Sequence, residues 1–166
     1  MKIHDDHFYH GAALIQIAEH KQFTAINALN LRGEKHRNAY LINDRIGVFL
    51  KYCVKPNRSY KEYTFTFSLD HLRSLEQIRS KVGVLFLVLV CVKGREICCL
   101  TYQEFSTFVE MRRAYKGEEE NQYVLKITIP KGKSIRAYVD APGQKKTILG
   151  DPIVVARNRF PNVLFE

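Results

Sequence analysis

The chain has 166 residues, 46% apolar and 26% charged, enough for one domain with a buried core and unlike a disordered chain. Its formal net charge of +9 favours acidic partners, with nucleic acid (DNA or RNA) first among them. The longest apolar run, Val82 to Val92, spans 11 residues, which suits a buried strand and is too short to cross a bilayer. The opening M-K-I-H-D-D-H lacks the apolar segment of a secretion signal, so a cytoplasmic protein without a membrane partner is the default expectation.

The first element is a helix over Phe8 to His20. Its many Ala, Leu and Ile residues predict that it is largely buried, with Asp5 or Asp6 capping its start. Phe23 to Leu31 reads as a strand, followed by a polar connection carrying Arg32, Lys35 and Arg37. Asn38–Asn43 and Ile46–Cys53 form a hairpin around a two-residue turn, Asp44-Arg45, which sets Lys51 opposite Asn38 and Phe49 opposite Tyr40. Lys55 to Ser59 is a basic loop, and Y-T-F-T-F over Tyr63 to Phe67 alternates as a strand.

Ser68 is placed to cap a helix running to Lys81, with Leu69, Leu72, Leu75 and Ile78 along one side. Val84 to Val92 reads as a central strand covered on both faces, and Lys93-Gly94-Arg95 turns the chain into a neighbouring strand, Glu96 to Leu100. The step from Tyr63 to Val92 is expected to be a parallel crossover. Thr101 and Glu104 form a capping box for a helix to Tyr115. After a polar linker, 117–122, three short strands follow at Tyr123–Ile129, Ile135–Asp140 and Ile153–Ala156. The expected class is α/β (α+β): a mixed central sheet flanked by helices over residues 1–116, with a small basic β appendage, 123–166, packed on it.

The four cysteines lack C-x-x-C spacing. Cys98 and Cys99 would point to opposite faces of a strand, so buried free thiols are expected, with Cys91 and Cys98 near each other across a hairpin. His7 and His10 could share a helix face with a metal, but a polar, frayed start is the favoured reading, and no metal ligand set is assigned. No G-x-S-x-G, phosphate-binding loop or H-E-x-x-H sequence occurs.

The order of elements, together with Lys51 near the end of the hairpin's second strand, resembles the restriction-endonuclease-like, PD-(D/E)-x-K, superfamily over about Phe8 to Glu110. The smaller patterns I-N-D-R-I-G-V-F-L-K-Y, Y-T-F-T-F and L-V-C-V-K-G also resemble a bacterial protein family that lends no activity. The superfamily resemblance implies a metal-assisted attack on a phosphodiester, with carboxylates holding a divalent cation beside the lysine. Lys51 matches that lysine, Glu19 matches an acid that some members place on the first helix, and Asn38 falls where an acid would be needed. Phe49 replaces the acid two residues before the lysine, and Asp44 lies at the turn, too far along the strand. Glu34 and Glu62 stand on nearby connections as substitute carboxylates. Mg²⁺ is implied only if the core is catalytic.

Binding needs fewer conditions. Lys55 and Arg58 join Arg32, Lys35 and Arg37 as one basic group at the strand ends. Lys131, Lys133, Arg136, Lys145, Lys146, Arg157 and Arg159 form a second, interleaved with Tyr138 and Phe160, and from Tyr123 onward eight Lys or Arg face three Asp or Glu. Such patches hold phosphates, and exposed aromatics stack on bases. The segment after Arg157 reads as a tail docking its apolar residues on the core. Two functions follow: a nucleic-acid-binding protein on a degenerate nuclease-like core, active as a metal-dependent nuclease if a carboxylate has migrated, or a non-catalytic interaction protein with a basic surface. A two-fold dimer would let the first grip a duplex.

Overall fold

The computed structural model describes residues 1–31 and 34–166, with the side chains of Glu34, Lys35 and Arg37 left aside. The chain runs α1 (Asp5–Ala18), β1 (Ile26–Leu31), β2 (Glu34–Ile42), β3 (Ile46–Cys53), β4 (Tyr63–Ser68), α2 (Leu69–Val82), β5 (Val84–Cys91), β6 (Glu96–Thr101) and α3 (Tyr102–Lys116). It ends with β7 (Gln122–Thr128), β8 (Ile135–Tyr138), β9 (Asp140–Ala141), β10 (Gln144–Ile148), β11 (Ile153–Val155) and a 3-10 turn (Asn162–Phe165). This is an α+β fold with a mixed sheet and, among the described residues, three α-helices. None of those helices is long and apolar enough to cross a membrane.

The mixed sheet has the order β1-β2-β3-β5-β6, with β3 and β5 parallel and the other pairs antiparallel. Both central strands are apolar on both faces because both faces are covered. Ile46, Val48, Leu50, Val88 and Val90 pack with Ala13 and Ile17 of α1 and with Phe160, Leu164 and Phe165 of the tail. Phe49, Leu85, Leu87 and Leu89 pack on the opposite face against α2, α3 and a second sheet. Cys98 joins the second cluster and Cys99 the first, so the pair does point to opposite faces, and all four thiols are free.

The second sheet, β11-β8-β7-β4, changes two expectations. β4 is not a neighbour of β5, so the Tyr63-to-Val92 step crosses between sheets; the parallel partner of β5 is β3. The reason is that β4 exposes Thr64 and Thr66, whereas a strand inside the mixed sheet would have both faces covered. Residues 123–166 supply β7 to β11, and β7 pairs with β4 along its whole length, from Tyr63↔Ile127 to Ser68↔Gln122. Side chains on both sides of the 117–122 segment therefore share one hydrophobic cluster.

Three local differences also appear. Helix α1 starts three residues early, with His4 rather than an aspartate at its cap, and it buries only His10, Ala13 and Ile17. Phe8 and Ile15 are exposed, since only one stripe of this helix meets the sheet. The polar connection after Leu31 instead extends into β2.

The hairpin register is shifted by one, pairing Ile42 with Ile46 and Ala39 with Phe49, so Lys51 is not opposite Asn38. The turn has three residues because Asn43 and Asp44 both take left-handed backbone angles (φ 53° and 58°), which asparagine and aspartate tolerate. Asn43 is held there from outside the hairpin. Its Oδ1 accepts from Thr24 N (2.7 Å), Thr24 Oγ1 (2.9 Å) and Ala25 N (3.3 Å), and its Nδ2 donates to Gln22 O (2.7 Å). Replacing Asn43→Ala should lower the unfolding free energy by about 0.5–1.5 kcal/mol, because the bonds that hold the turn are lost while their exposed or half-buried partners turn to water. Urea denaturation measures this, and Asn43→Gly should be no better than partly restored, since glycine recovers only the backbone angle.

Candidate functional site

The strand directions bring several turns to one end of the molecule. β3, β5, β7 and β11 finish there, while β4, β6 and β8 begin there. Between them lies an open cleft of about 560 Å³. Arg58 and Lys61 enter from the β3–β4 loop, Lys93 from the β5–β6 turn, Lys131 from the β7–β8 turn and Arg157 from the residue pair after β11. No carboxylate lines it among the described residues. Gly94 allows the turns to close up, because a Cβ there would meet Tyr63 Oη at 2.9 Å and Ile129 Cδ1 at 3.1 Å.

Arg157 is the fixed member. It donates to Glu96 (2.9 Å), to the Lys133 carbonyl (2.8 Å) and to the Pro130 carbonyl (2.7 Å), tying the tail to β6 and to the β7–β8 turn. Among the described residues, Arg58, Lys61, Lys93 and Lys131 make no ion pair and are exposed. Four unpaired cations around one cleft repel each other and sum to a positive field, which an anionic partner relieves.

The loop that carries Arg58 and Lys61 is shaped by Asn57. Its Oδ1 accepts from Tyr60 N (3.0 Å) and Glu62 N (3.2 Å), and its Nδ2 donates to Glu62 Oε1 (3.3 Å). Glu62 is almost fully buried, where it accepts from Tyr138 Oη and lies 3.4 Å from Lys126 Nζ. Lys126 also pairs with Asp140 at 2.7 Å. Burial works against the Lys126 ammonium, but Asp140 and Glu62 outweigh it and raise its pKa. A buried charge group of this kind is costly to break by removing one partner, so the cationic loop has a rigid anchor.

The residues proposed for hydrolysis are not brought together. Lys51 sits 5.0 Å from the Phe67 ring, on the face of the sheet that looks towards α2, and burial lowers its pKa. Helix α1 starts beside the end of β3, where His10 packs on Tyr52, and its exit segment is bonded to the hairpin turn through Gln22 and Asn43. Glu19 follows that helix and therefore lies at the turn end of β3, while Lys51 lies at the other, about 17 Å along the strand from Ile46. Asn38, with a left-handed backbone (φ 64°), lines a separate cleft between α1 and β2. Glu62 faces Lys126, Asp140 and Tyr138.

Of the basic residues read from the sequence, Arg58, Lys131 and Arg157 line the cleft, and Lys55 and Lys133 flank it in the same loops. Lys145 and Lys146 belong to β10, and Lys146 lies 4.2 Å over the Tyr60 ring. Arg136 is half-buried on β8. Tyr138 and Phe160 are buried and offer no stacking surface, because Tyr138 turns its hydroxyl to Glu62 and Phe160 packs under the mixed sheet. Arg32 and the side chains of Lys35, Arg37 and Glu34 lie outside the described residues. Lys61 and Lys93 belong to neither charge group of the sequence, although each sits in a Gly-, Pro- or Asn-containing turn after a strand. Comparison with protein-family profiles, curated proteins and solved structures returns no match.

Lys51 has a further effect on His71, the third residue of α2. His71 Nδ1 accepts from Ser68 N (3.2 Å), closing a reciprocal cap with Ser68 Oγ, which accepts from His71 N (3.2 Å). Phe49 and Phe67 flank the ring. Burial and the Lys51 charge lower its pKa below the ordinary 6.5, against raising influences from Asp70 and the Thr66 backbone. The folded chain thus keeps His71 neutral while the unfolded chain takes up a proton first. Stability is intact above pH 6.5 and falls as pH drops below it. His71→Gln keeps an acceptor for the cap and cannot titrate. It should reduce this acid loss in denaturation curves recorded from pH 7.5 to 5, leaving the share due to His10, whose pKa is lowered chiefly by burial.

Proposed function

We propose that the protein binds nucleic acid, with the phosphate backbone held in the cleft of Arg58, Lys61, Lys93, Lys131 and Arg157. The observation that carries this reading is the convergence of five cations from separate loops, with no lining carboxylate among the described residues. Basic side chains neutralise phosphates and release their counterions, and they do so without reading base sequence. The reading keeps the restriction-endonuclease-like core as an analogy of element order only. It assigns no hydrolysis, because Glu19 and Lys51 lie towards opposite ends of β3 and Asn38 is uncharged.

Fluorescence anisotropy with short single- and double-stranded DNA and RNA across a salt series tests it. Engagement of the four unpaired cations predicts a log–log salt slope of about −4 on a duplex. Arg58→Ala, Lys93→Ala or Lys131→Ala should each weaken binding and reduce the slope by about 1. Lys145→Ala, outside the cleft, should leave both nearly unchanged. Adding Mg²⁺ or Mn²⁺ should produce no cuts; cleavage lost in Lys51→Ala would restore the catalytic reading. Absence of binding at low salt would sink the nucleic-acid reading and leave a basic protein-interaction surface in its place.

A further inference from the structure

Helix α1 has an outer face unlike those of α2 and α3. Its buried stripe is His10, Ala13 and Ile17. At about 100° per residue, the opposite side carries Phe8, Gly11, Ala12 and Ile15, and the same line runs on through the two cap residues, His4 and Glu19. Phe8 is 63% exposed and Ile15 59%, whereas α2 and α3 turn charged residues such as Arg73, Glu76, Glu110 and Lys116 to solvent. No Asp, Glu, Lys or Arg occurs from Phe8 to Ala18. Single exposed hydrophobes are ordinary, but a continuous uncharged face on a chain of net charge +9 marks an interaction surface.

The order of residues along this face says what fits it. In either direction the stripe runs polar cap, large apolar, small pair, large apolar, polar cap: His4, Phe8, Gly11-Ala12, Ile15, Glu19. Its midpoint falls between Gly11 and Ala12. We propose that the partner is a second copy of this chain, packed through an antiparallel α1–α1 contact on a two-fold axis at that midpoint. A two-fold contact joins one patch to itself and so needs a self-complementary patch. Phe8 then meets the partner's Ile15. The small pair at the crossing lets the helices approach to about 8 Å. His4 meets the partner's Glu19, and an imidazole N–H can donate to that carboxylate.

Charge at the helix ends supports the antiparallel direction. Glu19 lies at the C-terminal end of α1, where a carboxylate opposes the helix dipole, and it makes no ion pair among the described residues. An antiparallel partner sets it beside the N-terminal end of the other α1, where the dipole favours negative charge. A parallel partner would instead place the two Glu19 side chains together. The helix is about 21 Å long, so the contact is small and the dimer reversible rather than permanent. No residue of the stripe lines the cationic cleft, so dimerisation and nucleic-acid binding can be read separately in each variant.

The test is sedimentation velocity on the full chain, free of nucleic acid, over a concentration series. A monomer–dimer equilibrium should appear. Phe8→Glu and Ile15→Glu should each weaken it tenfold or more, with an unchanged circular dichroism spectrum because both side chains are exposed. Val154→Glu, at an equally exposed apolar position on β11, should leave it unchanged. Exchanging charge tests the direction of packing. His4→Asp keeps a good helix cap but sets acid against acid, and Glu19→Lys removes the acceptor. Each alone should weaken association, and the double variant should restore it. A chain that stays monomeric up to about 0.5 mM, near the weak end of the affinity scale, would overturn the proposal. So would a dimer indifferent to Phe8→Glu and Ile15→Glu, or a double charge variant that associates no more tightly than the single ones.

Discussion

The parallel pairing of β3 with β5 decides which loops can meet. It runs over eight registered pairs, from Ile46↔Val84 to Cys53↔Cys91, and it lies in the most buried part of the molecule. Parallel neighbours finish at the same end, so the β3–β4 loop and the β5–β6 turn must emerge side by side. The antiparallel β4–β7 pair in the second sheet then delivers the β7–β8 turn to the same place. Gly47 shows how tightly this arrangement is packed: a Cβ there would meet Val82 Cγ2 of α2 at 3.0 Å. The cationic cleft is thus set by the core, although every residue that lines it belongs to a loop or a strand end.

The surface and the interior handle charge in opposite ways. Glu62 and Asp140 are buried, half-buried Lys126 pairs with both, and Tyr138 completes the set. Arg58, Lys61, Lys93 and Lys131 stay in water, where a lone charge costs little. Asn57 connects the two regimes, fixing the backbone of the loop while touching Glu62 from the cleft side. Replacing an exposed lysine should therefore alter binding with little change in stability, whereas removing Glu62 would disturb both.

Short-range signals in the sequence proved readable. The Ser68 cap, the Thr101–Glu104 capping box and the two-faced burial of Leu85 to Cys91 all depend on residues within a turn or a strand. Failures came where distant residues decide. The hairpin register depends on Asn43 being held by Gln22, Thr24 and Ala25, about twenty positions earlier, and one residue of slip moved Lys51 relative to Asn38. Tyr138 looked like an exposed aromatic because nothing nearby in sequence shows that Glu62 will bury it. Lys93 and Lys131 were each visible in a turn, but their meeting depends on which strands pair.

The tail after β11 has a consequence beyond its apolar contacts. β6 is the last strand of the mixed sheet, and the outer backbone of an edge strand is a template for another chain. Arg157 is bonded to Glu96 at the start of β6, and Arg159 is paired with Glu104 (2.9 Å) just beyond its end. The chain between and after these two arginines then carries Phe160, Leu164 and Phe165 to the α1 side. Trimming the final ten residues would remove both ion pairs at the ends of this edge strand and bare the apolar face that Phe160, Leu164 and Phe165 cover. The first sign of such damage would be self-association between molecules rather than local loosening within one.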